Sequence, residues 1–236
     1  MIVLWLNMLV LGFCFWLLRR KIFKERILVK GWKRGKFNPQ GKGVLVVSNH
    51  PSLCEPLLLP LLQFPAFLFS LKLLPFSTPD KRNYYDKWWF YPFRKACIPI
   101  ERGNKREELK AVKERILPHL ERGGILILFP EAGRTSTAKE KRGSKVSLKG
   151  KEIARFPQGI KRLFKDADFD IVFVWTEGGE KIIPKRAGQK GMVTAPRLYN
   201  QVKINIAEEK INSKDIPKEG AIEYLEDKLL ELGDKT

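Results

Sequence analysis

A chain of 236 residues with 44% hydrophobic content is long enough for one α/β domain with its own core, plus a short appendage. Its three cysteines, Cys14, Cys54 and Cys97, are odd in number, scattered and without a C-x-x-C pair, which argues against a disulfide framework or a zinc site. The net charge of +19 calls for an anionic partner, either nucleic acid or an acidic lipid surface.

The amino terminus favours lipid. Residues 2–18, IVLWLNMLVLGFCFWLL, are apolar except for Asn7 and Gly12, and as a helix they reach roughly 26 Å, near the lower limit for crossing a bilayer. No basic segment precedes them and no small-residue cleavage site follows, so they do not read as a secretory signal. Arg19, Arg20, Lys21, Lys24, Arg26, Lys30, Lys33, Arg34 and Lys36 come next, opposed only by Glu25. That asymmetry keeps the remainder cytoplasmic, and a basic juxtamembrane stretch gains roughly 1 kcal/mol per residue from anionic headgroups. A buried core helix is the alternative, disfavoured by the following charges. Residues 1–36 are therefore expected to be a membrane-associated helix and its basic flank.

Gly41 and Gly43 mark a turn into Val44–Val47, a short buried strand whose end delivers Asn49 and His50. Residues 56–76 are apolar but interrupted by Pro56, Pro60, Pro65 and Pro75, which predicts a short helix and a strand rather than a second span. Residues 84–93, YYDKWWFYPF, pack a core, dip into lipid or line an acyl-chain groove. Residues 96–100 predict a strand ending in Glu101 and Arg102. A helix capped by Asn104 follows, with Leu109, Val112, Ile116 and Leu120 on its apolar face, bent at Pro118 and ended by Gly123 and Gly124. Residues 125–129 form the next strand, running into PEAGRTS. Residues 137–155 show no apolar period and read as a mobile basic loop, solvated or acting as a lid or strap. Strands at 170–178 and 201–209 and a last amphipathic helix with Ile222, Leu225, Leu229 and Leu232 complete the chain. The class is α/β, with a mixed, largely parallel central sheet flanked by helices.

Three strands thus end in polar clusters: Asn49–His50 with Glu55, Glu101–Arg102, and Glu131 with Arg134–Thr135. An imidazole whose Nδ1–H is held by a carboxylate presents a basic Nε2 that can take a proton from an attacking hydroxyl. Arginines at neighbouring strand ends can hold a phosphate by charge-assisted hydrogen bonds. A base, a phosphate clamp and a membrane anchor together point to a phosphorylated, lipid-soluble alcohol. Cys54 is a possible nucleophile partnered by His50, although nothing in the sequence activates its thiol. His119, behind Pro118 in a helix, reads as a structural or surface histidine.

The same residues resemble a family. NHPSLCEP (49–56) is similar to the NHxxxxD signature of the glycerolipid acyltransferases, the lysophosphatidic acid acyltransferase group. FPEAGRTS resembles their FPEGTRS block, IPIERG their block ending in an acidic residue and arginine, and FPQGIKRL and DIVFVW the two segments that follow. The blocks occur in order from about residue 44 to 176.

The resemblance implies that His50 is the general base and Glu55 its orienting carboxylate. It also implies that Arg102 binds the acceptor phosphate and that Glu131, Gly133, Arg134 and Thr135 shape the acceptor site, with Arg134 as a second phosphate ligand. Residues 37–236 would form the catalytic domain, on the cytoplasmic side of the cell inner membrane. The donor would be an acyl thioester of coenzyme A or acyl carrier protein, attacked directly, and the acceptor lysophosphatidic acid. No metal or other cofactor is required. The implied partners are a membrane with anionic phospholipids and the two substrates, with no nucleic acid. Two departures stand out: Glu55 replaces the family's aspartate, and Ala132 takes the place of a glycine, which moves to Gly133. Glycerol 3-phosphate or another lysolipid is the alternative acceptor, and a non-catalytic basic protein bound to anionic lipid is the alternative function.

Overall fold

The computed structural model describes residues 27–33, 35–164, 167–182 and 200–236, with Leu9, Phe13 and Arg197. The expected membrane helix at 2–18 and most of its basic flank lie outside the described residues. Among the described residues no helix is long and apolar enough to cross a membrane.

The strands are β1 (Ile27–Lys30), β2 (Gly43–Ser48), β3 (Pro75–Ser77), β4 (Ile125–Leu128), β5 (Ser144–Val146), β6 (Glu152–Ala154), β7 (Phe169–Glu177), β8 (Val202–Ile206) and β9 (Ile211–Asn212). The main sheet runs β1-β8-β7-β2-β4-β3, with β9 added to β7. β2 lies parallel to both β4 and β7, and β7 runs antiparallel to β8. The sheet is therefore mixed and mostly parallel. Ile27–Lys30, grouped by sequence with the juxtamembrane stretch, forms the edge strand against β8.

The helices are α1 (Glu55–Leu62), α2 (Ala66–Phe69), α3 (Lys105–Ala111), α4 (Leu117–Glu121), α5 (Thr135–Arg142), α6 (Gly179–Ile182) and α7 (Ala221–Asp234). Alternate residues of the central strands face two cores. Leu45, Val47, Leu126 and Phe173 meet Ile116 and Leu120 near α4, and Leu225 and Leu229 of α7. Val44, Val46, Ile127 and Val174 meet Leu59 and Leu62 of α1. A strand covered on both faces reads as a continuous apolar run, which is why β2 and β4 were visible in the sequence.

Two expectations are corrected. Residues 96–100 form no continuous strand: Ile98 and Ile100 donate to the Ser77 and Pro79 carbonyls, and Pro99 between them has no N–H to offer. Residues 137–155 are not a loop but most of α5 and the β5–β6 hairpin, closed by a turn with Gly150 at φ +77°. Their cations are used in pairs. Lys139 meets Glu152 at 2.7 Å, Lys145 meets Asp227 at 2.6 Å, Arg155 meets the buried Glu226 at 2.7 Å, and Lys151 meets Glu177. Three of those four carboxylates lie on β7 or α7, so no local period could reveal them.

The helical run from Asn104 is opened by that residue, whose side chain accepts from the Glu107 N–H. Between α3 and α4 it widens into a π turn over Val112–Ile116, one turn before Pro118, which cannot donate to the ladder. Behind Pro118, His119 is bonded through Nε2 to the Ile125 carbonyl and packs on the Phe76 ring. Burial, with Arg122 nearby, lowers its pKa even though that hydrogen bond acts the other way. A histidine whose folded pKa is depressed binds fewer protons than the unfolded chain just below the ordinary value of about 6.5, so stability declines as pH falls through that region. The urea midpoint should drop more between pH 7 and pH 5 in the wild type than in His119→Gln; parallel profiles would refute the assignment.

Candidate active site

β2 ends beside β7, and Asn49 extends their pairing with its side chain. Its Nδ2 donates to the Thr176 carbonyl at 2.8 Å, and its Oδ1 accepts from the Thr176 N–H at 2.7 Å and hydroxyl at 3.1 Å. The next residue, His50, is held through its main chain. Its N–H donates to Glu131 Oε1 at 2.7 Å, and its carbonyl accepts from the Thr135 N–H at 2.8 Å. The imidazole stacks on Phe129, with ring centroids 4.5 Å apart. A turn then brings Glu55, at the start of α1, back to the ring.

His50 Nδ1 lies 3.2 Å from Glu55 Oε2, and the Glu55 side chain is 1% exposed. The carboxylate is fixed independently of the histidine: Oε2 also accepts from the Ser52 N–H at 2.9 Å, and Oε1 from the Ser52 hydroxyl at 3.0 Å. A carboxylate held at Nδ1 selects the tautomer with the proton there, leaving Nε2 as the basic nitrogen. The extra methylene of glutamate, relative to aspartate, is therefore accommodated without loss of contact. The alternative nucleophile, Cys54, is buried with Leu59 and Leu62, and its Sγ lies 3.7 Å from the Gly179 carbonyl. Cys97, beside Ser77, has its thiol pushed up to about 11 by burial and is no nucleophile at neutral pH.

The loop after β4 supplies the second half of the site. Glu131 is fully buried and accepts from the His50 N–H, the Thr135 hydroxyl at 2.8 Å and the Ala154 N–H at 2.8 Å. Burial pushes its carboxyl up, and the three donors oppose the shift. It shapes the site by joining β2, the 131–135 loop and β6, and offers no exposed oxygen to a substrate. Ala132 carries φ +52°, the left-handed region, so the alanine standing in the family's glycine position adopts the conformation glycine tolerates best. Gly133 has no left-handed φ, and a Cβ there would meet only Ala138 at ordinary contact distance.

Next to the end of β2 opens a cleft of about 450 Å³ bordered by Asn49, Pro51, Arg134, Thr135, Lys139 and Lys181 and by Glu152, Glu177 and Glu180; His50 itself does not line it. Arg134 has no ion-pair partner among the described residues, whereas Lys139 on the same cleft is paired with Glu152. Arg102 does not line this cleft. Its guanidinium donates to the Ala132 carbonyl and approaches Asp80 at 3.9 Å, and burial lowers its pKa. Arg142, not singled out in the sequence, donates to the Glu131 carbonyl and lies near enough to Arg102 to repel it. Ser52, Phe129 and Thr176 were also missed; Ser52, inside the His50–Glu55 spacing, was the one with a local signal. Among the described residues no cluster of histidine, cysteine or acidic side chains could hold a metal.

Two stability tests follow from this loop. Glu131→Ala would leave the buried Ala154 N–H and two part-buried donors without their acceptor and should cost about 2–3 kcal/mol, read as a lowered urea midpoint; a cost below about 1 kcal/mol would contradict the network. Ala132→Gly should raise stability by about 0.5–1 kcal/mol, since relief of the left-handed strain outweighs the added unfolded-state entropy. A destabilised Gly variant would mean that the alanine is not strained.

With this geometry established, comparison with known proteins is informative. The acyltransferase family model matches residues 33–177, a segment that contains His50, Glu55, Arg102 and the 131–135 loop. The fold is similar to the crystal structure of the 1-acyl-sn-glycerophosphate (LPA) acyltransferase PlsC from Thermotoga maritima, with a TM-score of 0.57 and 17% identity over 90% of this chain and 73% of that one. No functionally curated protein matches the sequence significantly. The family model spans more than half of the chain, and the chain therefore belongs to the acyltransferase family.

Proposed function

We propose that this acyltransferase moves a fatty acyl chain from a coenzyme A or acyl carrier protein thioester to the free hydroxyl of lysophosphatidic acid, producing phosphatidic acid. The observation that carries the reading is the His50–Glu55 contact at 3.2 Å, backed by a carboxylate that Ser52 already holds in place. His50 Nε2 would take the hydroxyl proton as that oxygen attacks the thioester carbonyl carbon. Glu55 would stabilise the imidazolium formed. The tetrahedral adduct would then collapse with loss of the thiolate, to which the imidazolium returns the proton.

Arg134, on the cleft that the neighbours of His50, Asn49 and Pro51, also line, and without an ion-pair partner among the described residues, is the favoured contact for the acceptor phosphate. Arg102 would support that site through the Ala132 carbonyl it binds. The proposed setting is the cytoplasmic face of the inner membrane. The chain's charge and the exposed Trp88 and Tyr91 support contact with anionic phospholipid, because amphipathic aromatics settle at a membrane interface.

The test is thiol release from a long-chain acyl-CoA by purified protein, with and without lysophosphatidic acid. Release should require the acceptor and should fall by about two to four orders of magnitude in His50→Ala. Equal rates in the two proteins would remove His50 from the chemistry. Acceptor-independent release lost in the variant would point to thioester hydrolysis or to a different acceptor. Arg134→Ala should raise the KM for lysophosphatidic acid far more than that for acyl-CoA; equal effects on the two would argue against a phosphate contact.

A further inference from the structure

Two adjacent glycines follow β7, and they serve different ends. Gly178 has φ +86°, and a Cβ there would meet the Gln201 carbonyl oxygen at 2.1 Å, so the path of the chain itself requires glycine. Gly179, the first residue of α6, has no left-handed φ, and alanine could adopt its backbone conformation. What forbids a side chain there is the candidate catalytic pair. A Cβ at residue 179 would lie 2.3 Å from Glu55 Oε1 and 2.7 Å from Ser52 Oγ. Both opposing atoms are side-chain ends, so the carboxylate and the hydroxyl would have to give way.

We propose that Gly179 is a positioning residue for the His50–Glu55 pair, leaving open the space that the longer carboxylate of Glu55 occupies, so that glutamate at 55 requires glycine at 179. The proposal rests on reading His50 and Glu55 as the catalytic base and its orienting group. A methyl group at 179 displaces Oε1 from the Ser52 hydroxyl, and the rotation that relieves the clash swings Oε2 away from both the Ser52 N–H and His50 Nδ1. Aspartate at 55 ends about 1.5 Å sooner, one carbon–carbon bond, and leaves that methyl group room. Residues 55 and 179 are then coupled: the substitution at 55 that harms the enzyme when 179 is glycine helps it when 179 is alanine.

The experiment compares wild type, Glu55→Asp, Gly179→Ala and the double variant in acyl-CoA thiol release with lysophosphatidic acid, together with their unfolding midpoints. Gly179→Ala should lower kcat by about 100-fold with both KM values nearly unchanged, as expected when a general base loses its aim. Glu55→Asp should lower kcat about tenfold in the wild-type background and raise it about tenfold in the Gly179→Ala background, a reversal of sign that independent sites cannot give. A Gly179→Ala variant within about threefold of wild type, or losses that simply multiply, would overturn the proposal. If Gly179→Ala does not fold, the double variant decides: activity within about tenfold of Glu55→Asp upholds the coupling, and lower activity overturns it. Wild-type rates in His50→Ala and Glu55→Ala would defeat the catalytic reading itself. Large losses in those two variants with an indifferent Gly179→Ala would defeat only the role of Gly179.

Discussion

The buried carboxylate of Glu131 is the point to which the candidate site is tied. A buried carboxyl group is tolerated only when hydrogen-bond partners surround it, and here the donors come from three separate stretches of chain. The His50 N–H arrives from the end of β2, the Thr135 hydroxyl from the loop after β4, and the Ala154 N–H from the β5–β6 hairpin. Each of those groups is in turn obliged to find an acceptor once it is buried. The carboxylate and its donors therefore fix one another, and with them the position of the His50 main chain against the 131–135 loop. The parallel pairing of β2 with β4 and β7 brings the strand ends to one edge, and Glu131 converts that proximity into a defined geometry.

Much of this arrangement is legible in the chain. β2, β4 and β7 announce themselves as short apolar runs because both faces of the sheet are covered, and Gly41 and Gly123 mark the turns before β2 and β4. The His50–Glu55 pair is visible because five residues suffice for a turn to bring the two side chains together. The rest was hidden for a definable reason: it depends on partners far away in sequence. Glu131 reads as one more polar residue in a motif until its donors are located. The 137–155 stretch looked irregular because its lysines and arginines answer to carboxylates on β7 and α7 rather than to a face of their own. β1 is too short and too close to charged residues to announce itself.

The 137–155 segment also changes the meaning of the chain's charge. Lys139, Lys145, Lys151 and Arg155 each face a carboxylate within the fold. Exposed pairs of this kind contribute little individually, but Glu226 is buried, and Arg155, Lys145 and the Phe156 N–H together satisfy it. These four cations are thus committed to holding the segment together and against β7 and α7.

The links between the two halves of the site run largely through the main chain. Both the N–H and the carbonyl of His50 are engaged by the 131–135 loop, and Arg102 and Arg142 grip that loop by its carbonyls rather than by its side chains. A bond to a peptide group does not ask which residue carries it. Ala132 can therefore stand where a glycine would be more comfortable, and the loop still closes around the histidine. An architecture held in this way can drift widely in sequence while its working distances change little. That gives a physical reason why a chain only 17% identical to a solved acyltransferase should superpose on it over nine-tenths of its length.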